Sequence, residues 1–572
     1  MNRIVSLGII CALASMLALA TWLLVFLPAQ VLKQTQAEFL NRTGKPLSVV
    51  GGASLRFSPQ FGIALNDVKV AGLSALDTNA FQARAIFIPL SFKNFFGPGY
   101  DHENLVVEAP VFNVTINNEG QSNILSSDQS DQSKVDKNAV APSPFQLTFQ
   151  NGIFEYRDAT NTFTMSEAEG LIAVDQQQEI TVKSAAVLAG QRVHFQSVLN
   201  SLPRAFAEGS PFDFNLDGAG ASFGYSGRLI IKKGVEIAGQ ATVDTADASR
   251  LFKWVGIELN NLQGKHPLAI TSAIETQGAL VLMKKADVKF SGATAQGDIS
   301  FLKAAARPSL TFDLAVDQIN TNLFVPAIKQ VSQAGIWSDE AFNLSDMKGL
   351  DVAFKFAAHQ VRFGSFILSE ARVEGVLKDG VLNAAVSSEA SGKADINFDA
   401  AKSPPEMRLN FELKKIEAQT FMQRFAGMAW LQGQLSFNAA LTSEGSNQLE
   451  MVGGLKGNVE IAFDQAQIQG AELAGLAAHV QTENVSGWEG QMTDPVTGNA
   501  KFILADGVAT FQENDILAPG LKSTQTGEID ILRQALNLES VSRLNRGDGK
   551  PMKIKISGPW AKPNFVLLKE TN

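Results

Sequence analysis

Cysteine is nearly absent from this sequence. Cys11 is the only one among 572 residues, so no intramolecular disulfide can form and no cysteine-based metal cluster can be assembled. Charged side chains are also scarce at 18%, with a net charge of −9 and an isoelectric point near 5.3. A chain with no basic field cannot neutralise a run of phosphates, which excludes nucleic acid as a partner. Tyrosine is rare, with 3 residues against 38 phenylalanines. The apolar supply is therefore of the kind that buries whole rings without needing a partner for a hydroxyl.

Signals of catalysis are thin. Gly220-Ala221-Ser222-Phe223-Gly224 matches a nucleophile-elbow pattern, whose serine must top a strand-to-helix turn. The residues that follow read as a strand and a turn instead. The five histidines, His102, His194, His266, His359 and His479, are scattered singly. Asp339 and Glu340 are adjacent, and on an extended chain such neighbours point to opposite faces. No phosphate loop, dinucleotide fingerprint or metal motif is present. The expectation is a non-enzymatic protein with no catalytic, metal or cofactor site.

What is present begins with a long apolar run. From Ile4 to Leu27 the chain carries no charge over about 24 residues, more than the roughly 20 that cross a bilayer core. Ile4, Leu7, Leu13, Leu17, Trp22 and Leu27 are the expected membrane anchor, with Trp22 at the interface and Pro28 as a stop. A cleaved signal peptide is the competing reading, since Ala18-Leu19-Ala20 fits a cleavage pattern. Cutting there would leave an apolar new terminus, so retention as an anchor is the expectation. Beyond it, residues 30–41 read as a short helix.

After that the dominant period is two. Phe312, Leu314 and Val316 alternate with Thr311, Asp313 and Asp317; Val352, Phe354 and Phe356 alternate with Ala353, Lys355 and Ala357. The pattern returns at Phe112, Val114 and Ile116, at Leu435 and Phe437, at Val459, Ile461 and Phe463, and at Met552, Ile554 and Ile556. Asn151-Gly152, Asp379-Gly380 and Asp506-Gly507 between such segments predict tight hairpins in a long antiparallel meander. Residues 248–255, 321–334, 418–428 and 471–478 are candidate helices. Residues 126–144, rich in Ser, Asp and Gln and without an aromatic, read as a flexible linker.

The expected organisation is an anchor at 1–29, an N-terminal β region at 30–125, the linker at 126–144, a central β-groove region at 145–336 and a C-terminal region at 337–572. Periodicity does not decide where the apolar faces go. They could bury one another in a closed sandwich, or line an open, curled sheet.

Several phrases resemble the AsmA family. They are the opening span followed by LSVVGGASLRFSPQFGIALNDVKVAG at 47–72, then IFEYRDATN from Ile153, ADASRLFKWVGIEL from Ala246 and RPSLTFDLAVDQINTNLFVP from Arg307. WSDEAFNLSDMKGLDVAFKFAA from Trp337, LKGNVEIAFDQAQIQGAELAGLAA from Leu455 and PMKIKISGPWAKPNF from Pro551 complete the set. The resemblance implies a mainly β periplasmic body tethered to the inner membrane of a Gram-negative bacterium. It also implies kinship with chorein-type repeating β-groove proteins that carry phospholipid, and a role in outer-membrane biogenesis and lipid homeostasis. It raises the open groove above the sandwich, with phospholipid as partner. The candidate lining is Phe312, Leu314, Val316, Val352, Phe354, Phe356, Leu435, Phe437, Val459, Ile461, Phe463, Met552, Ile554 and Ile556. The alternative reading is an anchored assembly factor that influences targeting or insertion of outer-membrane proteins through exposed strand edges.

Overall fold

The structure is a computed structural model that describes residues 27–43, 46–58, 60–72, 79–90, 104–115, 123, 144–157, 162–231, 235–255, 264–302, 307–321, 337–363, 366–426, 428–468, 495–544 and 551–568. The anchor positions Ile4, Leu7, Leu13, Leu17 and Trp22 lie outside these residues, as do linker residues 126–143, the helix expected at 471–478 and nearly all of that expected at 321–334. Among the described residues no helix is long and apolar enough to cross a membrane. The fold is mainly β, with a few short helices. It divides into two compact units, Met1–Ile257 with His266–Val281, and Glu258–Lys265 with Leu282–Asn572.

The first unit opens with the helix Leu27–Thr43, longer at both ends than its sequence pattern suggested. Leu27 and Val31 are buried in one cluster with Ile63, Leu65, Val68, Ile88 and Val107, so the helix covers the start of the sheet. Beneath it, Leu47–Val49 and Ala53–Arg56 both pair with Gly62–Ala71. Such a cover shields a sheet end that would otherwise template further pairing. Later in this unit the helix Ala248–Trp254 forms as expected, and Asp247 caps it by accepting from Arg250 N.

Two features correct the expected antiparallel meander. Asn104–Glu108 and Val111–Thr115 run parallel to Phe145–Arg157, and Ser309–Asn320 runs parallel to Asp351–Phe363. Parallel neighbours need a connection of a dozen or more residues, which residues 116–144 and 321–350 supply. Most other pairings are antiparallel and join strands adjacent in sequence, for example Val381–Ser388 with Gly392–Asp399.

The second correction concerns Asn151-Gly152. These residues lie inside the strand Phe145–Arg157, not at its end. Asn151 has φ 54°, and the register slips between Phe149 and Gly152, which makes the pair a β-bulge. A left-handed Asn next to Gly serves a bulge as readily as a hairpin. The neighbouring strands bend to match, since Ala109 N donates to Gln150 O at 2.8 Å and Ile153 N to Pro110 O at 2.7 Å. Asp379-Gly380 (φ 55° and 81°) and Asp506-Gly507 (φ 50° and 76°) do turn the chain between adjacent strands. Positive φ at both positions is what the primed hairpin turn requires.

Candidate functional site

Cα partners in a ladder project their side chains to the same side of the sheet. Register therefore lets one face be followed from strand to strand. In the second unit, Ile299 stands opposite Phe312, Phe312 opposite Phe354, and Phe354 opposite Gly375. The same face continues through Ala384, Ile396, Leu409 and Leu441. Leu435, Phe437 and Ala439 then meet Phe463, Ile461 and Val459, and Val459 meets Phe502. Across the last strands Leu538 pairs with Ile556, Ser540 with Ile554 and Ser542 with Met552.

All fourteen residues picked out by alternation lie on this one face of the second unit. Phe312, Val316, Val352, Phe354, Phe356, Val459, Ile461, Phe463 and Ile556 are half-buried, whereas Leu314, Leu435, Phe437, Met552 and Ile554 are buried. The Phe354 and Phe356 rings stack at 5.5 Å, and Phe312 lies 6.3 Å from Phe356. Leu27, placed with the anchor by sequence, is buried in the first unit.

Toward the carboxy terminus the face closes on itself. Trp430 precedes the strand Leu431–Glu444 and Trp560 follows Met552–Pro559, six strand steps further on. On a flat sheet those steps span about 29 Å. Yet Trp430 Nε1 donates to Trp560 O at 2.7 Å. A twist of roughly 20–25° per strand accumulates past a right angle over six steps, which brings opposite strand ends together. Trp337 packs into the same cluster and donates its Nε1 to the carbonyls of Ile531 and Leu532 at 3.2 and 3.1 Å.

Beside this closure lies a partly open cavity of about 420 Å³. Phe437, Ile461, Phe463, Phe502, Phe511 and Ile556 line it with Trp430 and Trp560, and its polar lining residues are Ser523, Gln525 and Ser540. All three hydrogen-bond within the wall, although Gln525 Oε1 is buried without a partner. Gln525 Nε2 donates to Ser540 Oγ at 3.2 Å, and Ser523 shares a 2.5 Å hydrogen bond with Ser542. Where the ladder slips between Thr510 and Ile516, the Asn514 side chain replaces it, its Oδ1 accepting from Gln525 N at 2.5 Å.

The helix Ala418–Ala426 braces this region, with Phe421 and Met422 packed against the cluster of Leu435 and Phe437. Glu417 holds its first turn, accepting from Gln419 N at 3.0 Å and Thr420 N at 2.6 Å. Burial pushes the Glu417 carboxyl up, but the hydrogen bonds from Thr420 and Gln419 outweigh it and leave it below the usual glutamate range. Two other concavities in this unit, of about 1210 and 810 Å³, are bordered by charged residues such as Glu412 and Lys414, or Lys355 and Asp395. Hydrocarbon entering either would strip water from those charges, which is unfavourable.

The remaining sequence candidates are dispersed. Ser222 sits in the strand Ala221–Ile231, so no helix follows it. It is the partner of Asp217, which is in turn the partner of His194. The aspartate thus stands between them, and two strand spacings place His194 about 10 Å from Ser222. A base must lie within hydrogen-bond reach of its nucleophile. Among the described residues no cluster of His, Cys, Asp or Glu could hold a metal ion.

Alternation did not flag Trp430, Trp560, Phe502 or Phe511, which shape the cavity as much as the residues it did flag. The first unit carries an equivalent face, with Phe195 opposite Leu216, Phe214 opposite Tyr225 and Phe223 opposite Val243. No curated protein and no solved structure matches the chain significantly. The family model of the AsmA family matches residues 253–513. That span contains most of the continuous apolar face of the second unit, and over it the chain is similar to the AsmA family.

Proposed function

We propose that this chain is a non-enzymatic, inner-membrane-anchored protein whose periplasmic β body holds phospholipid acyl chains along its apolar sheet face, in support of outer-membrane biogenesis and lipid homeostasis. The observation that carries this reading is the continuity of the face. Strand after strand presents Phe, Ile, Leu or Val on one side, half-buried along much of its length and narrowing to a cavity walled almost wholly by hydrocarbon. The similarity of residues 253–513 to the AsmA family supports the same reading.

The energetics favour carriage over tight capture. Each buried methylene contributes about 0.8 kcal/mol, so a sixteen-carbon chain gains on the order of 12 kcal/mol in the groove. It gains a similar amount in a bilayer, so transfer between the two is close to neutral. The charged headgroup stays in water, where it needs no partner in the wall.

Mass spectrometry of lipids that co-purify with the full chain tests the proposal. Phospholipid should accompany the wild type and be depleted from a Phe312→Asp, Phe354→Asp, Phe437→Asp variant. Equal lipid content in both would count decisively against the groove. The assembly-factor reading rests on the strand Asn564–Leu568, which pairs with Met552–Pro559 and leaves Val566 half exposed. Under that reading Val566→Pro would impair assembly of outer-membrane proteins while lipid content stays unchanged.

A further inference from the structure

Val50 and Phe57 are 70% and 69% exposed, more than any other large hydrophobic side chain among the described residues. Phe57 follows the strand Ala53–Arg56 and stands at the tip of the hairpin that returns as Gly62–Ala71. A lone exposed apolar residue needs no explanation. Phe57 is not alone, because its ring lies 5.4 Å from that of Phe61, and the tip is pinned where Phe61 O accepts from Leu90 N at 2.9 Å. The helix Leu27–Thr43 identifies this end of the unit. Gln36 Nε2 donates to Leu47 O at 2.9 Å, which sets the middle of the helix beside the start of the first strand. The helix also packs on Ala53–Arg56, and Leu27 and Val31 are buried in the cluster that holds Ile63, the partner of Leu55. Its amino end therefore points along the sheet toward the hairpin. Leu27 is also where the uncharged run from Ile4 ends. The Phe57 tip and the end of the apolar run thus face the same way.

We infer that this hairpin is a second point of membrane contact, with Phe57 entering the interface of the bilayer that holds the anchor. The inference rests on the anchored reading above and deepens it, naming lipid as the partner of the exposed tip. A ring that is exposed in water gains when it moves among acyl chains and headgroups. Charge fits the same partner. Arg56, at the base of the tip, and Arg84 share the single carboxylate of Glu108, each at 2.8 Å, so two cations meet one anion. The surplus positive charge is attracted to an anionic headgroup layer. Contact through the tip stands the first strands upright on the bilayer. Val50, seven residues back along the same edge, is then about 20 Å from the tip and stays in water.

The test puts a nitrobenzoxadiazole probe on single cysteines of the full chain in phosphatidylethanolamine–phosphatidylglycerol vesicles, with spin-labelled acyl chains as quencher. Cys11 of the wild type reports the anchor, and Phe57→Cys, Gln60→Cys and Val50→Cys are each made together with Cys11→Ser. The probes on Phe57→Cys and Gln60→Cys should lose most of their emission, while the probe on Val50→Cys, an equally exposed site, should keep its own. Gln60 is exposed, and its replacement leaves both rings in place, so that reading stands even if Phe57→Cys disturbs the tip. A quenched Cys11 with bright probes on both tip variants would overturn the hairpin contact and leave the anchor standing. Equal quenching of the Val50→Cys and Phe57→Cys probes would also overturn it, because the whole edge and not the tip would then lie on the bilayer. A bright Cys11 probe would overturn the anchor and the contact together.

Discussion

Trp430 Nε1 donates to the carbonyl oxygen of Trp560 across 2.7 Å, although six strand steps lie between them along the sheet. That contact draws the apolar face around a partly open cavity. With the strands Leu431–Glu444 and Met552–Pro559 clasped at this point, residues from both strands line the same cavity.

The clasp should be measurable by itself. Trp430→Phe removes the donor and keeps most of the ring, at a cost of about 1–2 kcal/mol. Amide exchange in residues 552–559 should accelerate, while exchange in the first unit stays at its wild-type rate. Unaltered protection of that strand would show that the hydrogen bond does not hold the closure.

Phe312 and Phe354 distinguish a groove from a packed core. They are paired across a parallel ladder and remain half-buried. Phe312→Asp or Phe354→Asp should therefore lower stability by only about 1–2 kcal/mol, less than the roughly 3–5 kcal/mol of truncating a fully buried phenylalanine. Bound lipid should fall far more than stability does. Outright unfolding of both single variants in a urea titration would indicate a closed core.

Two glycines on the same face permit the sheet to curve. Gly457 has φ 140° and Gly498 has φ 151°, a conformation that L side chains rarely adopt. A Cβ would lie 2.0 Å from Ala440 O at the first and 1.9 Å from Asp515 O at the second. Either Gly→Ala change should cost more than about 2 kcal/mol and shrink the cavity region's cooperative unfolding amplitude. A wild-type denaturation midpoint for Gly457→Ala would refute the idea that curvature depends on it.

In the first unit, Glu108 accepts from Arg56 and Arg84, each at 2.8 Å. Burial pushes its carboxyl up, but the hydrogen bonds and charges of the two arginines outweigh that and hold it below the ordinary value. A depressed folded pKa stabilises fully above the unfolded value, ~4.3 for glutamate, and the benefit disappears as pH falls through the lower folded value. The wild type should lose more stability between pH 6 and pH 3 than Glu108→Gln does, by roughly 1 kcal/mol or less because both arginines are partly solvated. Parallel pH profiles for the two proteins would dismiss the linkage.

Much of the architecture was legible from local chemistry. Alternation at Phe312, Leu314 and Val316 assigns them to one side of their strand, because successive residues on an extended chain face opposite ways. Asp379-Gly380 and Asp506-Gly507 announced their turns for an equally local reason, a pair of positive φ angles that few residues tolerate. Asn151-Gly152 misled because its left-handed conformation suits a bulge inside a strand as well as a turn between two. Only the strand across the ladder decides between them.

The sequence by itself determined that this chain is β-rich, poor in charge, and furnished with strands that each have one apolar side. Those properties belong to neighbouring residues and need no knowledge of what packs against them. The tertiary structure alone decided that Ser309–Asn320 and Asp351–Phe363 run parallel, that the apolar sides of successive strands align into one face, and that Trp560 comes to rest beside Trp430 with its indole N–H unpaired. Each of these follows from register and from twist accumulated over many strands, and a sum over distant pairings is not written in any one stretch of chain.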